Sequence, residues 1–263
     1  MSFQTIKVKK EGSIDYLTLN RPDNLNTITP EMCDELQSYF ADLQVQHKTR
    51  VVILNGEGRA FCAGYDLKSA EGVSQGPIIG LRFQKQVSEV YARMRRCPQP
   101  IICLAHGAAT GGGLAFALAS DIRIIADNTK LNVAVVKVGL TGCDVGISYF
   151  LPRSVGQSVA AELMMTGKFI EPQRALTLGL VSAVVPYNAL LDEGNAIASD
   201  MLATSPLGLR LTKEGLNLSI DANSLEAAIA FEDRGQILCA SAGLFEEGIN
   251  AFFEKRKADY DDG

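Results

Sequence analysis

Short apolar runs bounded by polar or glycine-rich turns occupy much of the first two thirds of the chain. They lie at residues 14–20, 50–54, 101–104, 122–126, 131–133 and 181–185. Runs of this length with such flanks are typical of buried strands. Stretches with helical periodicity lie between them, at residues 29–46, 80–96 and 112–119. The first begins with Thr29 and Pro30, a capping hydroxyl and a proline at the first helical position.

The last third of the chain has a different pattern, which is almost wholly helical from Ser154 onward. Helical periodicity covers residues 155–165, 172–178, 188–203, 206–218, 224–240 and 244–257. No low-complexity linker separates the two parts. We therefore predict an α/β protein with a core region at residues 1–195 and a helical C-terminal region at residues 196–263.

Composition and charge narrow the possible functions. The chain has 263 residues, of which 47% are hydrophobic, and this is enough to bury a continuous core. Its formal net charge of −5 offers no basic surface for nucleic acid or anionic lipid. No segment approaches the roughly 20 apolar residues of a membrane span, and residues 1–5 lack the apolar core of a signal peptide. We expect a cytoplasmic protein that binds neither nucleic acid nor membranes.

The cysteines and histidines form no recognisable metal or disulfide framework. The six cysteines are scattered, without a Cys-x-x-Cys motif, at positions 33, 62, 97, 103, 143 and 239. Only His47 and His106 accompany them, so we expect neither a zinc site nor structural disulfides. Motifs for phosphate-binding loops and for a serine nucleophile elbow are also absent from the sequence.

Two glycine-rich turns, each directly after an apolar run, are the main candidate for chemistry. The first turn covers residues 55–66, and the second covers residues 105–113 and ends in Gly111-Gly112-Gly113 at the start of a predicted helix. A helix start has unpaired N–H groups and the positive end of the helix dipole, and glycines let a ligand atom approach them. A second N–H from the first turn would complete an oxyanion hole. The alternative is a tight strand-to-helix connection without a ligand.

The amino-acid sequences of both turns resemble those of a known superfamily. The sequences are GRAFCAGYDLK at 58–68 and HGAATGGG at 106–113, and further similar segments lie at 19–22, 119–124, 151–156, 163–167, 175–181 and 252–256. Together they resemble the enoyl-CoA hydratase/isomerase (crotonase) superfamily over essentially the whole chain. The resemblance implies a spiral of ββα units with two roughly perpendicular sheets. It also implies a helical C-terminal region that builds homotrimers or dimers of trimers.

The resemblance implies an acyl-CoA thioester as the substrate, with no further cofactor and no metal. Its carbonyl oxygen would accept hydrogen bonds from the main-chain N–H groups of Tyr65 and Gly112. The side chain of Tyr65 would either shape the acyl pocket or pack against the sheet. The segments that match CoA contacts contain Asn24, Leu25, Ala63, Asp66, Leu67, Lys68, Phe252 and Lys255. The last two often reach a CoA on a neighbouring subunit, although exposed lysines such as Lys68 and Lys255 can also be ordinary surface residues.

The sequence departs from the hydratases at the two positions that matter most. Hydration of a conjugated double bond uses two glutamates in that family, as base for the water and acid for the α-carbon. The matching positions here hold Ala115 and Val135. Since neither side chain can move a proton, we predict a member that lacks the two-glutamate mechanism.

One acid remains near the predicted site. Asp144 matches a working aspartate in dienoyl-CoA isomerases and in chlorobenzoyl-CoA dehalogenases, but the partner residues of those enzymes are absent. We predict that Asp144 acts in double-bond isomerisation or acyl-CoA hydrolysis, with a pKa raised by its apolar surroundings. In the structural alternative, Asp144 caps a helix near Ser148 or accepts loop N–H groups.

Two other functions stay open. A hydratase with rearranged chemistry would need another acid, such as Glu71 or Glu162. A protein that kept the fold and lost the chemistry would only bind acyl-CoA. Cys62 and Cys143 flank the predicted site, but no helper base is evident for a thiol nucleophile.

Overall fold

The chain forms eight strands and ten α-helices within residues 3–46 and 48–260, which the computed structural model describes. The strands are β1 Ile6–Glu11, β2 Ile14–Leu19, β3 Val51–Gly56, β4 Ile101–Ala105, β5 Ala108–Thr110, β6 Ile122–Ala126, β7 Lys130–Asn132 and β8 Ala183–Val185. The helices are α1 Pro30–Val45, α2 Pro77–Arg96, α3 Gly112–Ala119, α4 Ile147–Val155, α5 Gln157–Thr166, α6 Pro172–Thr177, α7 Leu190–Leu202, α8 Pro206–Ser219, α9 Leu225–Ser241 and α10 Leu244–Glu254. His47 lies outside the described residues. The predicted α/β class is confirmed.

The strands form one large sheet and one small sheet. The large sheet has the order β1-β2-β3-β4-β6-β8, and its pairs are parallel apart from the β1–β2 hairpin. The small sheet consists of β5 and β7 in parallel. Because β3 and β4 are parallel neighbours, their carboxyl ends lie at the same edge of the sheet. The two glycine-rich turns that follow these strands are therefore brought side by side.

The central strands are buried on both faces, as parallel strands usually are. On one face Leu54 and Cys103 join a core that includes Phe40 of α1 and Phe116 of α3. On the other face β3 and β4 pack against α7, through residues such as Leu104 and Leu190. Helix α7 spans the predicted boundary at residue 195, and the division into a core and a C-terminal region stays a prediction.

Three parts of the fold differ from the sequence prediction, and one of them is the short strand β5, which lies inside the predicted glycine-rich turn at residues 105–113. A single helix was predicted at 155–165, whereas the structure has α4 and α5, separated at Gly156. Helix α4 is not evident from the sequence because it contains Pro152, and proline usually ends a helix. Strand β1 was not predicted because its exposed edge position favours lysines over an apolar run.

Lys213 of α8 is a buried cation that ties the C-terminal helices to the core. Its Nζ donates to the carbonyl oxygens of Met94 at 3.2 Å and Gln99 at 2.8 Å. It also lies 2.9 Å from Oδ2 of Asp121. These partners satisfy the ammonium group, so its burial is tolerated.

We expect Lys213→Met to lower the free energy of unfolding by about 2–3 kcal/mol, because it leaves buried oxygens without their donor. Urea denaturation followed by circular dichroism would measure this loss. The control is Lys9→Met on β1, where the lysine is exposed and paired only with Glu11, and the denaturation midpoint should hardly change. Equal stability of the Lys213 variant and wild type would contradict the prediction.

Candidate active site

The two glycine-rich turns are joined by main-chain hydrogen bonds. The N–H of Cys62 donates to Ala108 O at 2.9 Å, and the N–H of Thr110 donates to Cys62 O at 3.0 Å. A β-carbon at Gly113 would lie only 2.1 Å from Cys62 O. The close approach of the turns therefore requires glycine at position 113.

The predicted oxyanion-hole residues are also close together. Gly64 has a φ of +98°, and a β-carbon there would lie 3.0 Å from Thr110 O and 3.7 Å from the nitrogen of Gly112. Among the backbone hydrogen bonds of the described residues, none has the N–H of Tyr65 or Gly112 as its donor. Gly112 is the first residue of α3, where an unpaired N–H is normal. Two free amides thus lie on adjoining segments of backbone.

Tyr91 of α2 supports the first turn of α3. Its hydroxyl donates to Gly112 O at 3.1 Å, and its ring stacks on Phe116 with centroids 4.9 Å apart. Burial holds the pKa of Tyr91 well above its ordinary value, so the hydroxyl stays a donor. The sequence prediction did not identify this residue, because a tyrosine in an amphipathic helix carries no motif.

The side chain of Tyr65 contacts α2. Its ring meets Phe83 edge-on, with centroids 5.3 Å apart. The Tyr65 hydroxyl is buried, and no hydrogen-bond partner is found for it within the described residues. The ring thus packs against α2 and against the main core, and a role in shaping the acyl pocket stays a prediction.

Asp144 lies in the segment that precedes α4, and it is half-buried. Its Oδ1 accepts a hydrogen bond from Nε2 of Gln84 on α2 at 2.6 Å. Burial raises the pKa of Asp144 above its ordinary value, although hydrogen bonds from Gln84 and from the N–H of Val145 oppose the increase. The sequence prediction also missed Gln84, whose partner is 60 residues away.

Of the structural alternatives for Asp144, the helix cap near Ser148 is wrong, whereas the carboxylate does accept one loop N–H group, that of Val145. Gly146 is the N-cap of α4, and no side chain caps this helix by a hydrogen bond. Val145, directly after Asp144, has a φ of 38°, which is strained for a β-branched residue. Such strain often accompanies functional segments.

Electrostatics connect Asp144 to the glycine turns. Burial is the main cause of the raised pKa of Tyr91. Cys62 and Cys33 raise this pKa further, and the charge of Asp144 makes a smaller contribution in the same direction. Tyr91 in turn contacts Gly112 directly, and Gln84 on the same helix contacts Asp144. The site therefore combines free amides with one carboxylate of raised pKa.

The positions that match the hydratase glutamates are apolar and close to the glycines. A β-carbon at Gly111 would lie 3.8 Å from Cγ1 of Val135. Ala115 is buried one turn into α3. No ionisable group replaces the missing glutamates at either position.

The residues predicted to contact CoA separate into two groups. Asn24, Leu25, Ala63, Asp66, Leu67 and Lys68 lie on two adjoining segments, which a hydrogen bond from Ala63 N–H to Leu25 O joins at 3.0 Å. Asp66 pairs with Arg21 at 3.1 Å. Burial works to raise the pKa of Asp66, but hydrogen bonds from Arg21 and the N–H of Lys68 hold it below its ordinary value. Phe252 and Lys255 lie in and just after α10, which packs against α9.

Other candidate groups have local structural partners. Cys62 is buried, and burial raises the pKa of its thiol to about 12, so a thiolate is disfavoured. His106 Nε2 lies 2.8 Å from Gly58 O. Glu162 pairs with Arg174 at 2.8 Å, and Glu71 is exposed in a short 3₁₀ helix. Within residues 3–46 and 48–260, no His, Cys, Asp and Glu cluster could hold a metal, and no helix could cross a membrane.

Comparisons with known proteins relate the whole chain to one family. The model of the enoyl-CoA hydratase/isomerase family matches residues 9–263. A Mycobacterium tuberculosis (strain ATCC 25618 / H37Rv) protein described as probable enoyl-CoA hydratase EchA12 is 39% identical over 249 residues, covering 92% of this chain and 87% of the relative. The 1,2-epoxyphenylacetyl-CoA isomerase of Escherichia coli (strain K12) is 31% identical over 252 residues, covering 95% of each chain.

A solved structure extends the match to the fold. The crystal structure of a probable enoyl-CoA hydratase/isomerase from Mycobacterium abscessus has a TM-score of 0.91 at 34% identity, covering 98% of this chain and 99% of that chain. The predicted crotonase fold is confirmed. Enzymes of this family act without a cofactor beyond the CoA substrate. The family match and the structural match together show that this chain belongs to the enoyl-CoA hydratase/isomerase family.

Proposed function

We propose that this protein shifts the double bond of an enoyl-CoA thioester, with Asp144 as its acid and base. The observation that carries the proposal is that α2 contacts both Asp144, a carboxylate of raised pKa, and Gly112, whose N–H is free at the start of α3. The positions where a hydratase would have its glutamates, Ala115 and Val135, are apolar. Isomerisation needs only one group that removes a proton and returns it, and this site offers one.

The reaction would proceed in two proton transfers. Ionised Asp144 takes a proton from the carbon between the double bond and the thioester carbonyl, and the electron pair of the broken C–H bond forms a dienolate. The N–H groups of Tyr65 and Gly112 donate to the enolate oxygen and stabilise its charge. The protonated Asp144 then returns the proton to the γ-carbon, and the double bond moves into conjugation. The reverse reaction uses the same groups, and no water is consumed.

Hydration and hydrolysis make other demands on the site. Hydration requires one group to activate water and another to protonate the α-carbon, and the side chains that would do this are absent at positions 115 and 135. Hydrolysis would require Asp144 to attack the acyl carbon or to activate water against it. Relatives carry both hydratase and isomerase names, as in the mycobacterial and Escherichia coli proteins described above. The missing glutamates favour the second kind of chemistry.

We also propose that the C-terminal helices form the interface with a second copy of the chain and contribute residues to the CoA site of that neighbour. A groove of about 940 Å³ lies between α8, α9 and α10. Phe245, Phe252 and Phe253 are more than 60% exposed there, and such apolar surface is typical of a subunit interface. A homotrimer or dimer of trimers would cover these rings and bring Phe252 and Lys255 to a neighbouring site.

A cytoplasmic location stays a prediction.

The proposed activity is tested by presenting the purified protein with 3-enoyl-CoA, 2-enoyl-CoA and saturated acyl-CoA. We expect 3-enoyl-CoA to gain the ultraviolet absorbance of a conjugated thioester, without release of free CoA and without a 3-hydroxyacyl product. Mass spectrometry distinguishes these outcomes, because isomerisation leaves the mass unchanged and hydration adds one water. Release of free CoA would instead support hydrolysis. Binding of all three thioesters without turnover would support a protein that only binds acyl-CoA.

A further inference from the structure

One face of α2 contacts both halves of the candidate site. Gln84 donates to Asp144 and Tyr91 donates to Gly112 O, at 2.6 Å and 3.1 Å respectively. The two residues are seven positions apart, which is close to two helical turns, so their side chains leave α2 on the same side. A single rigid helix therefore holds the distance between the carboxylate and the helix start that carries a free amide.

We infer that Gln84 is a positioning residue for Asp144, which fixes one carboxylate oxygen and leaves the other to exchange the proton. The inference rests on the proposed function. The side-chain amide of Gln84 is a donor to Oδ1, so this oxygen is occupied and the plane of the carboxylate is restrained. Among the described residues, Gln84 is the one side chain that donates a hydrogen bond to Asp144, and the main-chain N–H of Val145 is a second donor. Gln84 is thus the side chain that orients the base, beside the main-chain N–H of Val145.

The donor also stabilises the charged form of the base. A hydrogen bond to a carboxylate favours ionisation, and it opposes the desolvation that raises the pKa of Asp144. Without Gln84, a larger fraction of Asp144 would be protonated near neutral pH. An acid that has already taken up its proton cannot start the reaction as a base.

Few other charged groups lie where they could change the pKa of Asp144. Arg82 and Lys85 lie one or two positions from Gln84 on α2, and residues so spaced do not share its face. Helix α3 has no charged residue. Lys137 and Cys143, in the segment before α4, are exposed. On α4, Arg153 pairs with Asp221 at 3.0 Å. Tyr91 stays neutral because burial raises its pKa.

The test compares the pH dependence of kcat/KM for enoyl-CoA isomerisation in wild type, Gln84→Leu and Gln84→Glu. In Gln84→Leu we expect the acidic limb to move upward by about one pH unit, with a roughly tenfold loss below it. In Gln84→Glu the new negative charge also opposes ionisation of Asp144, so the limb should move further upward. A purely structural role would lower the rate by a similar factor at every pH.

Gln86→Leu is the matched control on the same helix. Gln86 donates to Oδ1 of Asp34 at 2.7 Å, so this variant loses an equivalent glutamine–aspartate bond that does not involve Asp144. Its acidic limb should coincide with that of wild type. The inference is overturned if the limb stays in place in Gln84→Leu, or if it moves equally in Gln86→Leu. If Asp144→Asn is inactive while Gln84→Leu is unchanged, only the positioning role fails; if Asp144→Asn is fully active, the proposed function fails as well.

Discussion

Asp144→Asn is expected to lower kcat for enoyl-CoA isomerisation by about 10²–10⁴-fold, the usual contribution of a general acid–base group. Asparagine keeps the size of the side chain and an oxygen that can accept from Gln84. It cannot take up the substrate proton. The measurement is the steady-state rate with 3-enoyl-CoA, together with the affinity for the thioester, which should change little.

The stability of this variant separates lost chemistry from lost structure. Burial raises the pKa of Asp144 in the folded protein, so the folded state binds its proton more tightly than the unfolded state. Stability from this effect is present at low pH and is lost as the pH rises through the folded pKa. Near neutral pH the ionised carboxylate is therefore a cost, and Asp144→Asn should be at least as stable as wild type.

Asp34→Asn supplies the control for the chemistry. Asp34 of α1 also accepts a hydrogen bond from a glutamine of α2, at 2.7 Å from Gln86, but it has no part in the proposed chemistry. Its rate should match wild type. An Asp144→Asn protein that turned over every accepted thioester at the wild-type rate would show that Asp144 is a structural residue.

The part of the site that the sequence predicts is the part that depends on backbone. Gly113 must be glycine because a β-carbon would collide with Cys62 O, and Gly64 because its φ is +98°. Such backbone requirements are visible in the local sequence as glycine-rich motifs. Parallel pairing of β3 with β4 then brings the two turns together, which follows from the order of apolar runs.

The part that the sequence does not predict depends on side chains from distant segments. Gln84 and Tyr91 reach partners 60 and 21 residues away, and an amphipathic helix looks the same whether or not its polar residues touch a site. Helix α4 was obscured by its internal Pro152 although Ile147, Leu151 and Val155 bury one face at helical spacing. In both cases tertiary packing decides, and no local motif records it.

Gly112→Pro is expected to lower kcat by about 10²–10³-fold relative to Gly112→Ala, because proline alone removes the N–H that would donate to the enolate oxygen. Proline suits the first position of a helix, which Gly112 occupies in α3. The preceding residue, Gly111, has a ψ of −116°, outside the α region that a following proline disfavours. The backbone at this position therefore accepts a proline, and the cost of the added side-chain atoms is measured with a second variant.

Gly112→Ala is the matched variant that keeps the N–H group, whereas proline replaces it with the Cδ of its ring. Both variants add a β-carbon that would lie 2.6 Å from Cδ1 of Ile28 and 2.9 Å from the Tyr91 hydroxyl, so both force the same side chains to move. Only the proline variant loses the donor. Rates are compared at saturating thioester, and thermal unfolding of both proteins shows whether they are equally folded. If two equally folded variants had the same rate, the amide of Gly112 would have no part in stabilising the enolate, and the oxyanion hole would have to lie elsewhere.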